Sequence, residues 1–228
     1  MTALLLTSFC SAQTLDEIVN KYYEANGIEN LEKANTIYIE GTATQMGNEL
    51  PMTIMVKKPN KVKVVITFNG MDIITAFDGE NGYMVNPMTG DTEPVEIPED
   101  QLSSVQEYNM FRDNMLEAYK AGRLKLEGDE DVDGRPCYKI LLTDEAGNTT
   151  TTYIDKDTML TVRAVTEVEQ MGQKMVVESN IKDYMEVNGA KFPKEITQTV
   201  SGMDLGGITY DKIELDRDMD DSIFVINK

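Results

Sequence analysis

The stretch from Leu50 to Ile97 constrains the fold most, because its apolar runs are separated by turn signals that are too short to hold a helix. Within it, apolar residues recur at every second position, which is the period of a β-strand with two distinct faces. Lys58-Pro59-Asn60 and Asn69-Gly70 interrupt the runs, and both are typical of tight turns between antiparallel strands. The sequence therefore predicts an antiparallel meander here.

The second face of this meander is also partly apolar. Met55, Val65, Ile74 and Ala76 occupy positions where a sheet covered on one side only would carry polar residues. Two interpretations are open: either both faces are covered and the core is simply filled, or one face of a curved sheet lines an apolar cavity. Composition alone favours the filled core, because buried apolar residues usually pack against one another.

The charge and composition of the chain exclude several function classes. It carries 40 acidic against 21 basic residues, a formal charge of −19, which repels nucleic acids and anionic membrane surfaces. Histidine is absent, so the commonest general base and the usual zinc ligand are missing. This argues against a hydrolase and leaves catalysis by paired carboxylates, Lys or Tyr open. We expect no enzyme activity, no catalytic residue, no metal site and no cofactor. The acidic cluster of Asp216, Asp218, Asp220 and Asp221 is predicted to be a solvated terminus.

Residues 1–12 are typical of the end of a secretory signal. An apolar run over residues 3–6 precedes the small residues Ser11 and Ala12, where cleavage is expected. We therefore predict an exported protein whose residues 13–228 form one domain, since β-rich domains commonly reach about 200–250 residues. The alternative is an outer-membrane form that is lipid-anchored through Cys10, but Phe9 is a poor fit to the small residue that this modification requires.

The remaining sequence predicts helices on either side of the first strands. Thr14 and Glu17 have the spacing of a capping box and begin an N-terminal helix that ends near Gly27. Pro98 begins a second helical segment, in which apolar residues recur every three or four positions up to Gly122. Beyond it, strand and turn signals alternate again. The pattern indicates a mainly β (α+β) fold with a curled or closed antiparallel sheet and a mid-chain helical segment that is a candidate lid.

Two motifs of the meander resemble one known family. Val56-Lys57-Lys58-Pro59-Asn60, followed by residues 77–87 (Phe-Asp-Gly-Glu-Asn-Gly-Tyr-Met-Val-Asn-Pro), is similar to the periplasmic outer-membrane lipoprotein carriers (LolA-like, of the LolA/LolB superfamily). In that family a basic-basic-Pro-Asn turn precedes a strand pair, an Asp-Gly turn, an aromatic strand and Asn-Pro. The resemblance is specific over residues 36–97 and architectural beyond them. It implies an incomplete antiparallel β-barrel of about eleven strands, with an N-terminal helix and mid-chain lid helices.

The resemblance also implies a function. Such proteins bind and transport lipoproteins or other acyl-chain lipids through the periplasm in an apolar barrel cavity, between an inner-membrane release complex and an outer-membrane acceptor. Sequestering acyl chains is worth about 0.8 kcal/mol per methylene and needs no catalytic group. We expect a monomer that binds acyl chains and no nucleic acid. The alternative is an envelope interaction or lipid-sensing module that does not transport lipid and has a filled core.

The expected site combines a cavity wall, a lid and a latch. Both strand faces are represented in the expected wall, which comprises Met52, Ile54, Met55, Val64, Ile66, Met71, Ile73 and Phe77. The expected lid residues are Leu102, Val105, Phe111 and Met115. Lys58 matches an Arg that helps to hold the lid closed in the family, and the resemblance implies the same role here. Because Lys lacks the planar fork of Arg, we expect an altered latch.

Overall fold

The computed structural model describes residues 13–144, 147–170 and 173–226. Its strands are β1 (Thr36–Gln45), β2 (Asn48–Lys57), β3 (Lys61–Phe68), β4 (Met71–Phe77), β5 (Gly82–Asn86), β6 (Asp91–Glu96), β7 (Leu124–Val132), β8 (Arg135–Thr143), β9 (Thr149–Asp155), β10 (Thr161–Gln170), β11 (Gln173–Val187), β12 (Ala190–Val200) and β13 (Met203–Leu215). Its helices are α1 (Leu15–Ala25), α2 (Ile28–Lys33), α3 (Leu102–Gln106) and α4 (Asn114–Lys120). The predicted export signal and Cys10 lie outside the described residues.

All of these strands belong to one antiparallel sheet, ordered β6-β5-β4-β3-β2-β1-β13-β12-β11-β10-β9-β8-β7. The first and last strands of the chain pair in the middle, whereas β6 and β7 are edges that do not pair with each other. The sheet is therefore not closed, and the predicted incomplete barrel with helices is confirmed. The described residues form thirteen strands rather than about eleven, because each short candidate segment of the sequence pairs with a neighbour. Within the described ranges no helix is long and apolar enough to cross a membrane.

One face of the sheet, here called the inner face, is the face that the helices cover. The register places Ile37 beside Val56 and Ile39 beside Ile54 on this face, and all four side chains are almost inaccessible to solvent. They form one cluster with Val105 of α3. Fully burying a Val or Ile side chain is worth about 1.5–3 kcal/mol. The inner face of the central strands is therefore the core of the fold.

The two ends of the sheet differ in how they are covered. The turns that join β1 to β2, β3 to β4 and β12 to β13 lie at one end, here called the hairpin end. Asn69-Gly70 has positive φ at both residues, as the predicted tight hairpin requires. At the other end, the backbone N–H of Lys191 donates to the carbonyl of Asn26 (2.9 Å). A side chain on Gly27 would lie 1.8 Å from the carbonyl oxygen of Gly189, so the junction of α1 and α2 seats directly on the sheet.

The opposite face of the sheet is crossed by the C-terminal segment. Asp221 forms ion pairs with Lys57 (2.6 Å) and Lys61 (2.8 Å), which hold the pKa of its carboxyl at about 2. Lys63 donates to the carbonyl of Ile223 (3.0 Å), and Phe224 is 1% exposed. The prediction of a solvated acidic terminus is thus only partly right, because lysines of β2 and β3 bind this segment to the sheet.

Asp113 divides the predicted second helical segment in two. Its carboxylate accepts from the backbone N–H of Leu116 (2.9 Å) and so begins α4. The Tyr22 hydroxyl of α1 donates to the same carboxylate (3.0 Å), and the Tyr119 hydroxyl of α4 donates to Asp16 (2.8 Å). Two polar contacts therefore attach α4 to α1.

The buried carboxyl of Asp113 makes the stability of the folded state depend on pH. Burial raises the pKa of the Asp113 carboxyl. A carboxyl whose pKa is raised by folding stabilises the folded state while both states are protonated, and this contribution is lost as pH rises through the raised pKa. We expect Asp113→Asn to increase the free energy of unfolding at pH 7, because the amide still caps Leu116 and can pair with Tyr22 without a buried charge.

Denaturant unfolding of both proteins at a series of pH values measures this effect. The stability gain of the variant is expected to shrink toward zero as pH falls below the ordinary Asp value of 3.8, where the wild-type carboxyl is itself neutral. A variant that is less stable than the wild type at pH 7 would contradict the account, since the folded state would then prefer the charged carboxylate.

Candidate functional site

The candidate site is the inner face of β1 to β4 together with the helical segment above it. The register continues apolar pairs from strand to strand, such as Met52 with Ile66 and Ile66 with Ile73. It brings together seven of the eight predicted wall residues: Met52, Ile54, Val64, Ile66, Met71, Ile73 and Phe77. Met55 pairs with Lys63 on the opposite face, so the wall proposed below omits it.

The inner face passes from buried to exposed toward the hairpin end. Ile54 is fully buried, Ile66 and Ile73 are half-buried, and Met71 is 40% exposed. The paired inner-face positions of β1 to β4 carry no charged side chain. On β12 and β13 the inner face continues with the paired residues Ile196 and Ile208. Nearer the hairpin end it continues with Met203, which is 67% exposed. An uncharged apolar surface therefore extends from the core to solvent at the hairpin end.

The predicted lid residues lie in two places. Leu102, Val105 and Phe111 pack with the core cluster of β1 to β4. Met115, on α4, packs instead with Ile18 of α1 and with side chains of β8 and β9. The part of the lid that lies over the candidate site is thus α3 and the residues up to Phe111, here called the α3 lid.

A glycine that the sequence analysis did not single out makes room for the α3 lid. Gly82 begins β5 beside Phe77. A Cβ at this position would lie 2.4 Å from Cδ2 of Leu102, so the lid side chain rests directly on the backbone of the strand. The only sequence signal is a glycine at the start of a strand, which also occurs at ordinary turns and bulges.

Lys58 connects the α3 lid to the N-terminal helices. Its Nζ donates to the carbonyl oxygen of Glu32 in α2 (2.6 Å) and lies 4.5 Å from the ring centroid of Phe111. A cation over an aromatic ring at an exposed site is worth about 0.5–1 kcal/mol. The ammonium group is thus placed between two segments that are far apart in sequence.

Two tyrosines, one on the sheet and one in the α3 lid, also belong to the site. Tyr210 lies on the inner face of β13 and is 4% exposed, and Tyr108 packs against the same cluster. Burial raises the pKa of Tyr210 to about 12 and raises that of Tyr108 as well. Both hydroxyls are therefore neutral at physiological pH, and neither adds a charge where the lid meets the sheet.

In this conformation Leu102, Val105 and Phe111 of the α3 lid cover part of the core cluster. One recess, of about 440 Å³, is lined by Ile213 of the core cluster and by Val187 and Leu215, which pack against that cluster. Another recess lies on the opposite face beside Arg163. Within the described part of the chain, no group of three or more Cys, Asp or Glu side chains is placed to hold a metal ion. A ligand on the part of the inner face that Leu102, Val105 and Phe111 cover would have to displace these side chains.

Solved structures resemble this chain over almost its whole length. A LolA superfamily protein from Nitrosomonas europaea is 16% identical, with a TM-score of 0.61, over 94% of this chain and 98% of that protein. A DUF1329 family protein from Desulfovibrio piger has a TM-score of 0.60 at 15% identity, covering 91% and 97% of the two chains. An outer membrane lipoprotein-sorting protein domain from Vibrio parahaemolyticus has a TM-score of 0.59 at 10% identity, covering 91% and 97%.

Comparison with protein-family models and with curated proteins found no match. At these identities the structural similarity concerns the fold alone. The motif resemblance of residues 56–87 agrees with this fold. The chain has the fold of the LolA superfamily proteins.

Proposed function

We propose that this protein binds the acyl chains of lipoproteins or other lipids on its inner face and carries them through the periplasm. The observation that carries the proposal is the uncharged apolar face that runs from the core to the open hairpin end. Moving an acyl chain out of water is worth about 0.8 kcal/mol per methylene. A contiguous apolar surface of this kind supports chain binding, and it supplies no group for catalysis.

Opening of the α3 lid admits the ligand in this proposal. The α3 lid is held by apolar contacts, by the seat of Leu102 on Gly82 and by Lys58. The hydrogen bonds of Tyr22 and Tyr119 attach α4 to α1 instead. We therefore propose that the lid residues Leu102, Val105 and Phe111 move away and line the opened site, while Met115 stays with α1.

The fold supports this assignment indirectly. One similar structure is described as an outer membrane lipoprotein-sorting protein domain, and another as a LolA superfamily protein. By analogy, the protein would be an exported monomer without enzyme activity that takes its cargo from an inner-membrane release complex and passes it to an outer-membrane acceptor. These partners are part of the proposal.

The filled core of this conformation favours a second candidate function. Because the α3 lid already covers Ile54 and Val64, the protein would serve as an envelope interaction or lipid-sensing module if the lid never opened. Lid opening and acyl binding therefore separate the two candidates, and two pairs of variants test them.

Two adjacent isoleucines of β4 provide a matched test of the binding face. Ile73 pairs with Ile66 on the inner face and Ile74 pairs with Val65 on the opposite face, and both are half-buried. We expect Ile73→Gln to weaken binding of a fluorescent fatty acid by about tenfold. This change in affinity corresponds to roughly half of the free energy gained by fully burying an Ile side chain. Ile74→Gln should bind like the wild type. Equal binding by both variants would refute the assignment of the inner face.

The latch role of Lys58 predicts an effect on lid opening. Lys58→Met keeps the length of the side chain but removes the cation that contacts Glu32 and Phe111. We expect faster amide hydrogen exchange over residues 102–111 and faster uptake of the probe, because closure loses about 1 kcal/mol. The control is Lys33→Met, which removes the exposed Lys33–Glu29 pair of α2. Unchanged exchange in Lys58→Met would remove the latch from the mechanism.

A further inference from the structure

The inner face of the sheet has a second sector of different chemistry. Across β9 to β12 the register aligns two rows of inner-face positions. The first row is Thr152, Ala164, Ser179 and Gln198, and the second is Thr150, Thr166, Val177 and Val200. Five of these eight side chains are polar and uncharged. This group of Thr150, Thr152, Thr166, Ser179 and Gln198 is here called the polar sector.

The flanking strands place the polar sector on the inner face. Thr152 pairs with Ile140, and Ile140 packs with Ile18 of α1 on the helix-covered side. At the other flank, Gln198 alternates with Ile196, which packs against the core cluster that β1 to β4 share with β12 and β13. Through its β12 flank, the polar sector therefore adjoins the apolar cluster to which the candidate site belongs.

The hydrogen bonds inside the polar sector leave part of its capacity unused. The Thr150 and Thr166 hydroxyls are 3.0 Å apart, and the Gln198 amide donates to the Ser179 hydroxyl (3.2 Å). A hydroxyl has one donor and two acceptor sites, and an amide has two of each. All five side chains are half-buried, so they are partly accessible. They are able to form further hydrogen bonds with a bound molecule.

Charge distinguishes the two faces of the same strands. The opposite face of β10 and β11 carries Arg163, Glu167 and Glu178, whereas neither inner row contains a charged side chain. A phosphate or carboxylate is normally bound by Lys or Arg. Ester, amide and hydroxyl groups need only uncharged donors and acceptors, and burying them unpaired is costly. The polar sector thus suits an uncharged polar group.

We propose that the polar sector binds the uncharged ester-, amide- or hydroxyl-bearing part of an amphiphile whose acyl chains lie on the apolar surface of β1 to β4. This inference rests on the proposed function and specifies the ligand class. A neutral acylglycerol or an acylated peptide fits this class, whereas the carboxylate of a free fatty acid and the phosphate of a phospholipid do not.

Two double variants of equal chemistry test this inference. Thr150→Val with Thr166→Val removes two hydroxyls from the polar sector at almost constant volume. The control is Thr151→Val with Thr197→Val, which removes two hydroxyls from the opposite face of β9 and β12. Displacement of a fluorescent fatty acid measures the affinities of monopalmitoylglycerol and palmitate for each protein.

The wild type and the control are expected to bind monopalmitoylglycerol more tightly than palmitate. The polar-sector variant should lose at least about fivefold in affinity for monopalmitoylglycerol and bind palmitate unchanged, because only the neutral head group uses the hydroxyls. Equal loss for both ligands, or no loss for either, would overturn the inference and leave acyl binding in place. If none of the proteins binds any acyl compound, the proposed function fails and this inference fails with it.

Discussion

An uncharged apolar face on a sheet that does not close is the constraint on which the rest of this structure depends. The edge strands β6 and β7 do not pair, and side chains of α2 and α3 pack on the apolar residues of the inner face. The helices cover the core residues around Ile54 completely but leave Met71 and Met203 exposed at the hairpin end. The covering layer is therefore incomplete where a ligand would enter.

The covering layer is attached by two kinds of contact. Polar contacts between α1 and α4 are directional, and breaking them exposes partly buried groups such as Asp113. The α3 lid depends mainly on apolar contacts, which an acyl chain could replace without loss of burial. In the proposed function a ligand competes with the α3 lid for the same surface, and we propose that Lys58 adds a small bias toward closure.

The sequence predicted the fold well where the pattern is local. Alternation over residues 50–77 identified which side chains share a face, but the inward direction depends on where the helices pack, and so Met55 could not be excluded. The spacing of apolar residues ran through Asp113 without a break, since an N-cap residue leaves the periodicity intact. The polar sector could not be recognised because Thr149-Thr150-Thr151-Thr152 is polar on both faces and has no period. Lys58 contacts Glu32 and Phe111, and both residues are distant from it in the chain. The sequence pattern therefore could not identify them as its partners.

The central claim is that the inner face holds acyl chains, and native mass spectrometry tests it most directly. The protein would be exported to a bacterial periplasm, purified without detergent, weighed intact and then extracted with organic solvent. The account predicts a bound lipid or lipopeptide at near-unit stoichiometry that is lost on extraction. A single unliganded mass, together with no uptake of added fatty acid or diacylated peptide, would contradict it.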